Sequence, residues 1–517
     1  MIACELVAGN SQLRPIRYNH YHGRMKSLPG AISPLIAVDR NAAKPLYRQI
    51  YDACRAAIMA RNLTSGQQLP STRALAAELG ISRIPVLDAY AQLLAEGYFE
   101  SRAGAGTFVS SSLPTPAPPR PNERPRKTDA PSAARPVSRR SAPLPRREQE
   151  PWLYGSGPFT IGQLALDHFP SRTWAALLTR HARKVTAAAM NYGDPMGLRD
   201  LREAIAAYVR TARAVQCEAR QVMVVSGSQQ ALLICANVLL DHGDRVWIED
   251  PGYTLMRSAL TLAGVDPFPV PVDREGLDVA AGIRSCRRAR AAWVTPSHQF
   301  PLGVTMSASR RLQLLEWARG AGAWIVEDDY DSEYRYDSMP IASLQGLDGD
   351  ARVVYVGTFS KTLFPSLRLG YVVIPPDLVS RFAAARRATD LCPPYLHQAA
   401  LAEFIRDGHF ARHIRRTRLV YGKRRRALVE ALENQFGEPE IIGAEAGLHL
   451  TMLVPNGLDD RRISARAARR GLWLWPLSAT YLREPVRQGL ILGFGNTRTA
   501  EVAGAVRKLR AAIESAS

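Results

Sequence analysis

The chain has 517 residues, which is too long for one hydrophobic core, so two or three domains are expected. Its formal net charge of +20 favours a polyanionic partner, either nucleic acid or a membrane surface, although an arginine-rich genome composition would account for part of this excess. No window is apolar over the length of a membrane span, and residues 1–26 lack the apolar core of a secretory signal. The six cysteines are scattered without a CxxC pair, which argues against a disulfide framework or a zinc site and predicts a reducing cytoplasm.

The amino-terminal part of the chain predicts a tail followed by helices. Residues 1–35 show no clear hydrophobic period and are expected to form a tail that is disordered or orders late. Residues 46–58 carry apolar side chains at helical spacing, and Gly66 and Pro70 then end this pattern.

Two further helices and a hairpin are predicted before residue 112. The stretch STRALAAELG predicts a short helix with Ser71 as its N-cap and Gly80 as its stop. The stretch SRIPVLDAYAQLLAEGY predicts a second helix, which Ser82 caps. Two short β-type runs around Gly104 and Gly106 predict a hairpin.

Two short helices followed by a glycine-tipped hairpin are typical of a winged helix-turn-helix, whose second helix enters the major groove of DNA. We predict that this α+β domain spans residues 36–112. Polar side chains at the helix starts and in the wing would contact phosphates or bases, and the glycines would let the wing backbone approach DNA. The predicted DNA-binding residues are Arg73, Ser82, Arg83, Arg102, Gly104, Gly106 and Thr107. The alternative is a small helical interaction domain with solvated arginines.

Residues 113–152 are rich in Pro, Arg, Ala and Ser and contain few large apolar side chains. Such a segment cannot bury a core, so we predict an extended cationic linker with a reach on the order of 120 Å. The linker would join two domains without fixing their relative geometry.

Residues 153–517 predict a second, larger domain in which buried strands alternate with helices. The near-continuous apolar runs are QVMVVSG, RVWIED, AAWVTP, AWIVED, RVVYVG and LGYVVIP. This alternation is typical of an α/β domain with a mostly parallel sheet that helices cover on both faces.

The segment VVYVGTFSKTLFPSLRLGYV places a lysine directly after a predicted strand. Most lysines are solvated surface charges, but Lys361 is flanked by Thr358, Ser360 and Arg368. Hydroxyl groups and a guanidinium fork form a good phosphate cradle, and a lysine beside a low-dielectric wall can lose its proton and form a Schiff base. Pyridoxal 5′-phosphate (PLP) needs this combination of an amine and phosphate donors.

Other candidate residues follow neighbouring predicted strands, where ligands of open α/β sheets bind. Asp328 in WIVEDDYDSEY could pair with a protonated pyridine nitrogen, and Tyr330 could donate to the phenolic oxygen of the same ring. Ser228 and Gln229 in VVSGSQQAL lie at a helix N-terminus, which favours anions. Tyr253 in EDPGY is suited to stack on the ring. Taken singly, these residues would more often belong to solvated turns or to a core.

The chain resembles known families in both halves. The segments PLYRQIYDACRAAI, LPSTRALAAELGISR and VLDAYAQLLAEGYFESRAGAGTFV closely resemble the DNA-binding domain of GntR-type bacterial repressors, over roughly residues 44–109. SKTLFPSLRLGY and the strand-end residues above resemble fold-type I aminotransferases, over about residues 155–515. The two halves in this order, joined by a long linker, resemble the MocR family of transcriptional regulators.

This resemblance implies roles for individual residues. Lys361 would form the internal aldimine with PLP, Asp328 would stabilise its pyridinium, and Tyr253 would stack on its ring. Arg368, Ser360 and Ser228 would hold the phosphate. Tyr192 in NYGDPMGLRDLREAIAAYV would reach the phosphate bound by a partner subunit, which implies a homodimer with shared sites.

The sequence also departs from the two families at three places. Ile84 and Pro85 stand where GntR-type repressors carry a polar residue, which affects the expected operator preference. Phe300 in PSHQFPLG replaces an asparagine of the aminotransferases, with His298 and Gln299 as possible substitutes. We therefore count His298 among the candidate cofactor-binding residues. Ile491 in GLILGFGN stands where an arginine usually clamps a substrate carboxylate, and a shifted alignment would bring Arg487 to that place instead.

These observations predict a cytoplasmic, homodimeric, PLP-dependent transcriptional regulator. It would bind paired operator half-sites on double-stranded DNA and sense a small amine, an amino compound or PLP itself through Lys361. No membrane partner and no metal are expected. The alternative is a working PLP-dependent aminotransferase that carries a DNA-binding domain.

Overall fold

The computed structural model describes Ile32 and residues 35–113, 138–145, 151–336, 341–455 and 457–515. The chain forms two compact units, divided after residue 134, and each is described by itself. Most of the predicted tail (1–35) and of the predicted linker (113–152) lies outside the described residues. Within the part of the chain that is described, no helix is both long and apolar enough to cross a bilayer.

The amino-terminal unit is a three-helix domain with a hairpin. Its elements are α1 (Leu46–Met59), α2 (Thr72–Glu78), α3 (Arg83–Ala95), β1 (Phe99–Arg102) and β2 (Gly106–Val109). Its core is formed mainly by buried aliphatic side chains of the three helices, including Ile50, Leu75, Val86 and Leu93. The strands pair antiparallel from Phe99 opposite Val109 to Arg102 opposite Gly106. The predicted winged helix-turn-helix is therefore confirmed.

Local sequence features explain where these elements begin and turn. Ser71 caps α2, because its hydroxyl accepts a hydrogen bond from the Ala74 amide at 3.2 Å. Ser82 occupies the N-cap position of α3, although its side chain makes no capping hydrogen bond within the described residues. Gly104 and Gly106 adopt φ angles of +71° and +106°, which a residue without a Cβ tolerates best.

The larger unit is built on an eight-stranded sheet. Its strands are β3 (Val222–Val225), β4 (Arg245–Asp250), β5 (Asp266–Asp273), β6 (Gly276–Leu277), β7 (Ala291–Val294), β8 (Trp324–Asp329), β9 (Val353–Thr358) and β10 (Gly370–Val373). They are ordered β3-β10-β9-β8-β7-β4-β5-β6. Along the order β9-β8-β7-β4-β5, each strand is parallel to the next. Strand β10 runs antiparallel to both of its neighbours, β9 and β3.

A second, four-stranded sheet lies towards the carboxyl end of this unit. Its strands are β11 (Ile441–Ile442), β12 (His449–Leu453), β13 (Trp475–Pro476) and β14 (Gly489–Gly493), ordered β11-β12-β14-β13 with antiparallel pairing. The helices of the larger unit are α4 (Ser171–Arg183), α5 (Arg199–Arg213), α6 (Ser228–Leu239), α7 (Thr254–Ala263), α8 (Val279–Ser285), α9 (Ala308–Ala321), α10 (Val379–Asp390), α11 (Tyr395–Arg406), α12 (His409–Phe436), α13 (Asp460–Arg469) and α14 (Thr499–Glu514).

All six predicted apolar runs form strands of the larger sheet, so the predicted mostly parallel α/β architecture is confirmed. The sequence pattern did not indicate β5, because three of its eight residues are prolines. Proline lacks the amide hydrogen that a ladder needs, and it is tolerated here because β5 lies next to the short edge strand β6.

One buried ion pair stabilises the larger unit beneath the carboxyl ends of the strands. Arg213, at the end of α5, donates through Nε to the Oδ2 atom of Asp329 at 2.7 Å, and the two side chains are 3% and 2% exposed. The Tyr355 hydroxyl also donates to this carboxylate, at 2.6 Å. Replacing Arg213 would therefore leave a buried charge without its counter-ion.

We predict that Arg213→Leu lowers the free energy of unfolding of the larger unit by about 3–5 kcal/mol. The control is Arg319→Leu, which breaks an exposed ion pair with Asp350 and should change stability by less than about 1 kcal/mol. Urea unfolding followed by tryptophan fluorescence is selective for this unit, because all eight tryptophans lie between residues 152 and 475. Equal destabilisation by both variants would contradict the prediction.

Candidate functional site

A cavity of about 390 Å³ opens at the carboxyl ends of the parallel strands in the larger unit. Most of the predicted cofactor residues line it together, although they come from distant parts of the chain. They are Ser228, Gln229, Tyr253, Asp328, Tyr330, Thr358, Ser360, Lys361 and Arg368. The two predicted residues that do not line it are Tyr192 and His298.

Lys361 follows the end of β9 closely and extends its amine into this cavity. The backbone of Gly162 packs against the amine so closely that an added Cβ would lie 2.4 Å from the lysine Nζ. Burial lowers the pKa of Lys361 below its ordinary value of 10.5, and the carboxylates of Asp331 and Asp328 partly oppose this shift. The amine is therefore easier to deprotonate than an exposed one, as a nucleophilic lysine requires.

A cradle of donors lies at the start of α6. Gly227 is the N-cap residue of this helix, with a φ of +91°, and Ser228 is its first residue. An added Cβ on Gly227 would lie 3.0 Å from the Arg368 guanidinium, so the absence of a side chain lets the arginine approach the helix. The Oγ atom of Ser360 is buried and has no hydrogen-bond partner among the described residues. A helix N-terminus, a guanidinium and a spare hydroxyl together suit a phosphate group.

Asp328, at the end of β8, presents a buried and incompletely paired carboxylate. Its Oδ1 atom finds no hydrogen-bond partner within the described parts of the chain. Burial raises the pKa of Asp328 to about 7, and the nearby Asp329 and Glu249 carboxylates add to this shift. A cationic hydrogen-bond donor in the cavity would satisfy this carboxylate.

Aromatic and histidine rings form another part of the cavity wall. Tyr253 meets Phe300 edge-on, with ring centroids 5.7 Å apart, and burial raises the pKa of Tyr253 to about 12. Phe300 in turn lies 5.7 Å from Trp475 and 5.3 Å from His449, measured between ring centroids. This part of the wall therefore offers flat surfaces for a planar ligand.

The two remaining cofactor candidates lie elsewhere. Tyr192 is 79% exposed. His298 is buried behind the cavity wall, with Nδ1 lying 3.1 Å from the Tyr330 hydroxyl and 3.2 Å from the Asp331 carboxylate. It supports residues of the wall, so its predicted direct contact with the cofactor remains a proposal that this geometry does not favour. Gln299 is also buried, and its amide donates to the Pro251 carbonyl at 2.9 Å.

Sequence reasoning missed several wall residues, notably Asp331, His449 and Trp475. Asp331 follows the strand that carries Asp328, but the cluster of acidic residues there gave no sign of which one faces the cavity. His449 and Trp475 belong to the second sheet, and only the tertiary fold brings that sheet to the larger one.

Six of the seven predicted DNA-binding residues are exposed on the amino-terminal unit. Arg73, Ser82 and Arg83 are exposed at the starts of α2 and α3, and Arg83 donates through Nε to the Thr72 hydroxyl at 3.0 Å. Ile84, at the position where the GntR pattern has a polar residue, is 67% exposed.

The predicted DNA-binding residues of the wing differ in exposure and in charge pairing. Arg102 is exposed but pairs with Glu100 at 2.6 Å and lies over the Phe108 ring at 4.4 Å. Its charge is therefore partly neutralised within the wing itself. Gly104 and Gly106 are exposed, whereas Thr107 is half-buried.

Comparisons with known proteins bear on both units. Residues 158–487 match the family "Aminotransferase class I and II", and residues 46–109 match "Bacterial regulatory proteins, gntR family". The chain is also 40% identical to the "Probable rhizopine catabolism regulatory protein MocR" of Rhizobium meliloti, across 93% of this chain and 96% of that relative. The chain belongs to the MocR family of transcriptional regulators.

Other relatives agree with this MocR assignment. The chain is 30% identical to the "HTH-type pyridoxine biosynthesis transcriptional regulator PdxR" of Corynebacterium glutamicum, across 89% of this chain and 94% of that relative. The predictions of a GntR-type reader fused to an aminotransferase-like body, and of a transcriptional regulator, are therefore confirmed.

Solved aminotransferases share the fold of the larger unit of this MocR-type chain. A kynurenine aminotransferase from Pyrococcus horikoshii matches with a TM-score of 0.68 and 28% identity, across 73% of this chain and 97% of that structure. LysN, an α-aminoadipate aminotransferase from Thermus thermophilus, matches with a TM-score of 0.68 and 27% identity over the same shares. The LysN structure is a complex with N-(5′-phosphopyridoxyl)-L-leucine.

The environment of Lys361 leads to a testable titration. In protein treated with hydroxylamine and dialysed to free the amine, we predict a pKa for Lys361 below the ordinary lysine value of 10.5, because burial disfavours the ammonium. Asp331→Asn should lower the pKa of Lys361 further, since it removes the largest opposing charge. Competitive acetylation across a pH series, quantified by peptide mass spectrometry, measures both values.

The matched control for this titration is Asp350→Asn, which makes the same chemical change at an exposed ion pair. This variant should leave the pH dependence of Lys361 acetylation unchanged. A Lys361 pKa at the ordinary lysine value of 10.5, or one that rises in Asp331→Asn, would show that burial and the Asp331 charge do not control this amine.

Proposed function

We propose that this MocR-family regulator binds PLP in the cavity of its larger unit. When bound, PLP supplies an aldehyde that reacts reversibly with primary amines. Lys361 would hold the aldehyde carbon, Arg368, Ser360, Ser228 and Thr358 would hold the phosphate, and Gln229 would border it. Asp328 would accept a hydrogen bond from the ring nitrogen. Tyr253 would stack on the ring, and Tyr330 would donate to its phenolic oxygen.

The observation that carries this proposal is the unpaired Oδ1 atom of Asp328, which shares one cavity with Lys361. Buried polar atoms in native proteins nearly always have partners, so an unpaired carboxylate atom points to a missing donor. The unpaired hydroxyl of Ser360 beside Arg368 points in the same way to a missing anion. A ligand with a protonated ring nitrogen at one end and a phosphate at the other would supply both the missing donor and the missing anion.

We further propose that the regulator acts as a homodimer in the cytoplasm. Tyr192 would contact the phosphate held by the partner subunit, which agrees with its 79% exposure in the single chain. Two winged-helix units in one dimer would bind paired operator half-sites on double-stranded DNA. The dimer would bind the pair more tightly than one unit binds a single half-site.

The proposed signal is a small amine or amino compound, or PLP occupancy itself. Either one must bind two conformations of the dimer with different affinities, because a ligand without such a preference shifts no equilibrium. The alternative function, a working aminotransferase with a DNA-binding unit, is favoured by the retained lysine and cradle. Multiple turnovers with an amino donor and a keto acid would decide for the enzyme.

We predict that purified protein titrated with PLP and then freed of unbound PLP shows an absorption band at longer wavelength than free PLP, and that Lys361→Ala lacks it. The reason is that this shifted band requires a covalent bond between the aldehyde and the lysine amine. Lys508→Ala removes an exposed lysine from α14 and should behave like the unaltered protein. A band of equal strength in Lys361→Ala would rule out the proposed attachment.

We predict that Arg73→Ala weakens binding to all DNA sequences by a similar factor and reduces the slope of log affinity against log salt by about 1. The physical reason is the loss of one phosphate contact from the exposed start of α2. Fluorescence anisotropy with the DNA upstream of the protein's own gene, at several salt concentrations, measures this slope. Arg507→Ala, in α14 of the larger unit, is the control and should leave the slope unchanged.

A further inference from the structure

The cavity contains a part that the proposed PLP contacts leave free. This part, the effector wall, consists of Phe300, Asp331, His449 and Trp475, which line the cavity, together with Ile491 behind them. The inference below concerns the ligand that the effector wall recognises, and it rests on the proposed function.

The apolar portion of the effector wall includes Ile491, which by the resemblance to aminotransferases stands where an arginine usually clamps a substrate carboxylate. Ile491 is 0% exposed in β14 and packs in a cluster with Phe300 and Trp475. Arg487, the alternative candidate for this role, is exposed and does not line the cavity. A carboxylate placed against this surface would lose its hydration without gaining a donor from it.

The polar portion of the effector wall carries a negative charge. Asp331 is 1% exposed, and its two carboxylate oxygens each lie 3.2 Å from Nδ1 of His298. Nε2 of His298 is buried without a partner in the described part of the chain.

The charged groups around Asp331 determine which ligands it attracts. The Arg335 guanidinium interacts with this carboxylate but does not line the cavity. Burial lowers the pKa of His449 well below its ordinary value, so this ring is neutral. The cationic side chains among the lining residues are Lys361 and Arg368, and the proposed function assigns both to PLP. A buried carboxylate at the cavity wall attracts an ammonium group and repels a second carboxylate.

We infer that the effector of this regulator is an amine without a carboxylate, and that Asp331 and the apolar surface around Ile491 set this preference. α-Amino acids are disfavoured twice, by the charge of Asp331 and by the lack of a donor at Ile491. Hydroxyl groups on the amine would be accepted, because the neutral His449 ring and the Asp331 carboxylate offer hydrogen-bonding partners at the cavity wall.

The test compares each amino acid with the amine that lacks its carboxylate, using serine with ethanolamine and leucine with isopentylamine. Dissociation constants for the PLP-loaded protein are measured by the change in visible absorption and, independently, by calorimetry. We expect each amine to bind more tightly than its amino acid by on the order of tenfold or more, as buried charge repulsion predicts. Asp331→Asn should reduce this ratio several-fold, and the control Asp350→Asn should preserve it.

Each outcome is decisive. Amino acids that bind as tightly as their amines would overturn the inference while leaving the proposed PLP site intact. Binding of neither class by PLP-loaded protein would also overturn it and would make PLP occupancy the signal. Failure of the protein to take up PLP at all would instead refute the proposed function itself.

Discussion

The larger unit depends on a constraint that its parallel sheet imposes. Strands β8 and β9 are adjacent and parallel, so the residues at their carboxyl ends meet at one edge, with Asp328 opposite Val356. Asp328 and Lys361 are thereby brought to one cavity in a low-dielectric setting. Burial raises the pKa of the carboxyl group to about 7 and lowers that of the amine, so both charges are less stable there than in water. The mutual attraction of the two groups offsets part of this cost of desolvation.

Such a site is suited to binding whether or not catalysis follows. The cradle at α6, the unpaired carboxylate of Asp328 and the flat aromatic wall would serve an enzyme equally well. What distinguishes this chain is the winged helix at its amino end and the effector wall, which packs against the buried, apolar Ile491. A regulator needs a ligand to change the population of two states, and the affinity difference between those states sets the size of the response.

Much of this organisation was predictable from the sequence, and the reasons are physical. The apolar runs of the central strands gave their positions, since strands buried on both faces leave no polar alternation. Lys361, Asp328 and Tyr253 were predictable because each follows such a run closely. The roles of His449 and Trp475 were not, since they depend on the second sheet meeting the first, and Asp331 was hidden in the acidic cluster that follows β8. The capping of α3 by the Ser82 side chain was expected but is not seen among the described residues.

The most direct test of the central claim is to reduce the PLP-treated protein with borohydride and map its peptides by mass spectrometry. The account predicts that the cofactor mass lies on the peptide containing Lys361 and is lost in Lys361→Ala. Cofactor mass on other lysines alone, or on none, would contradict it.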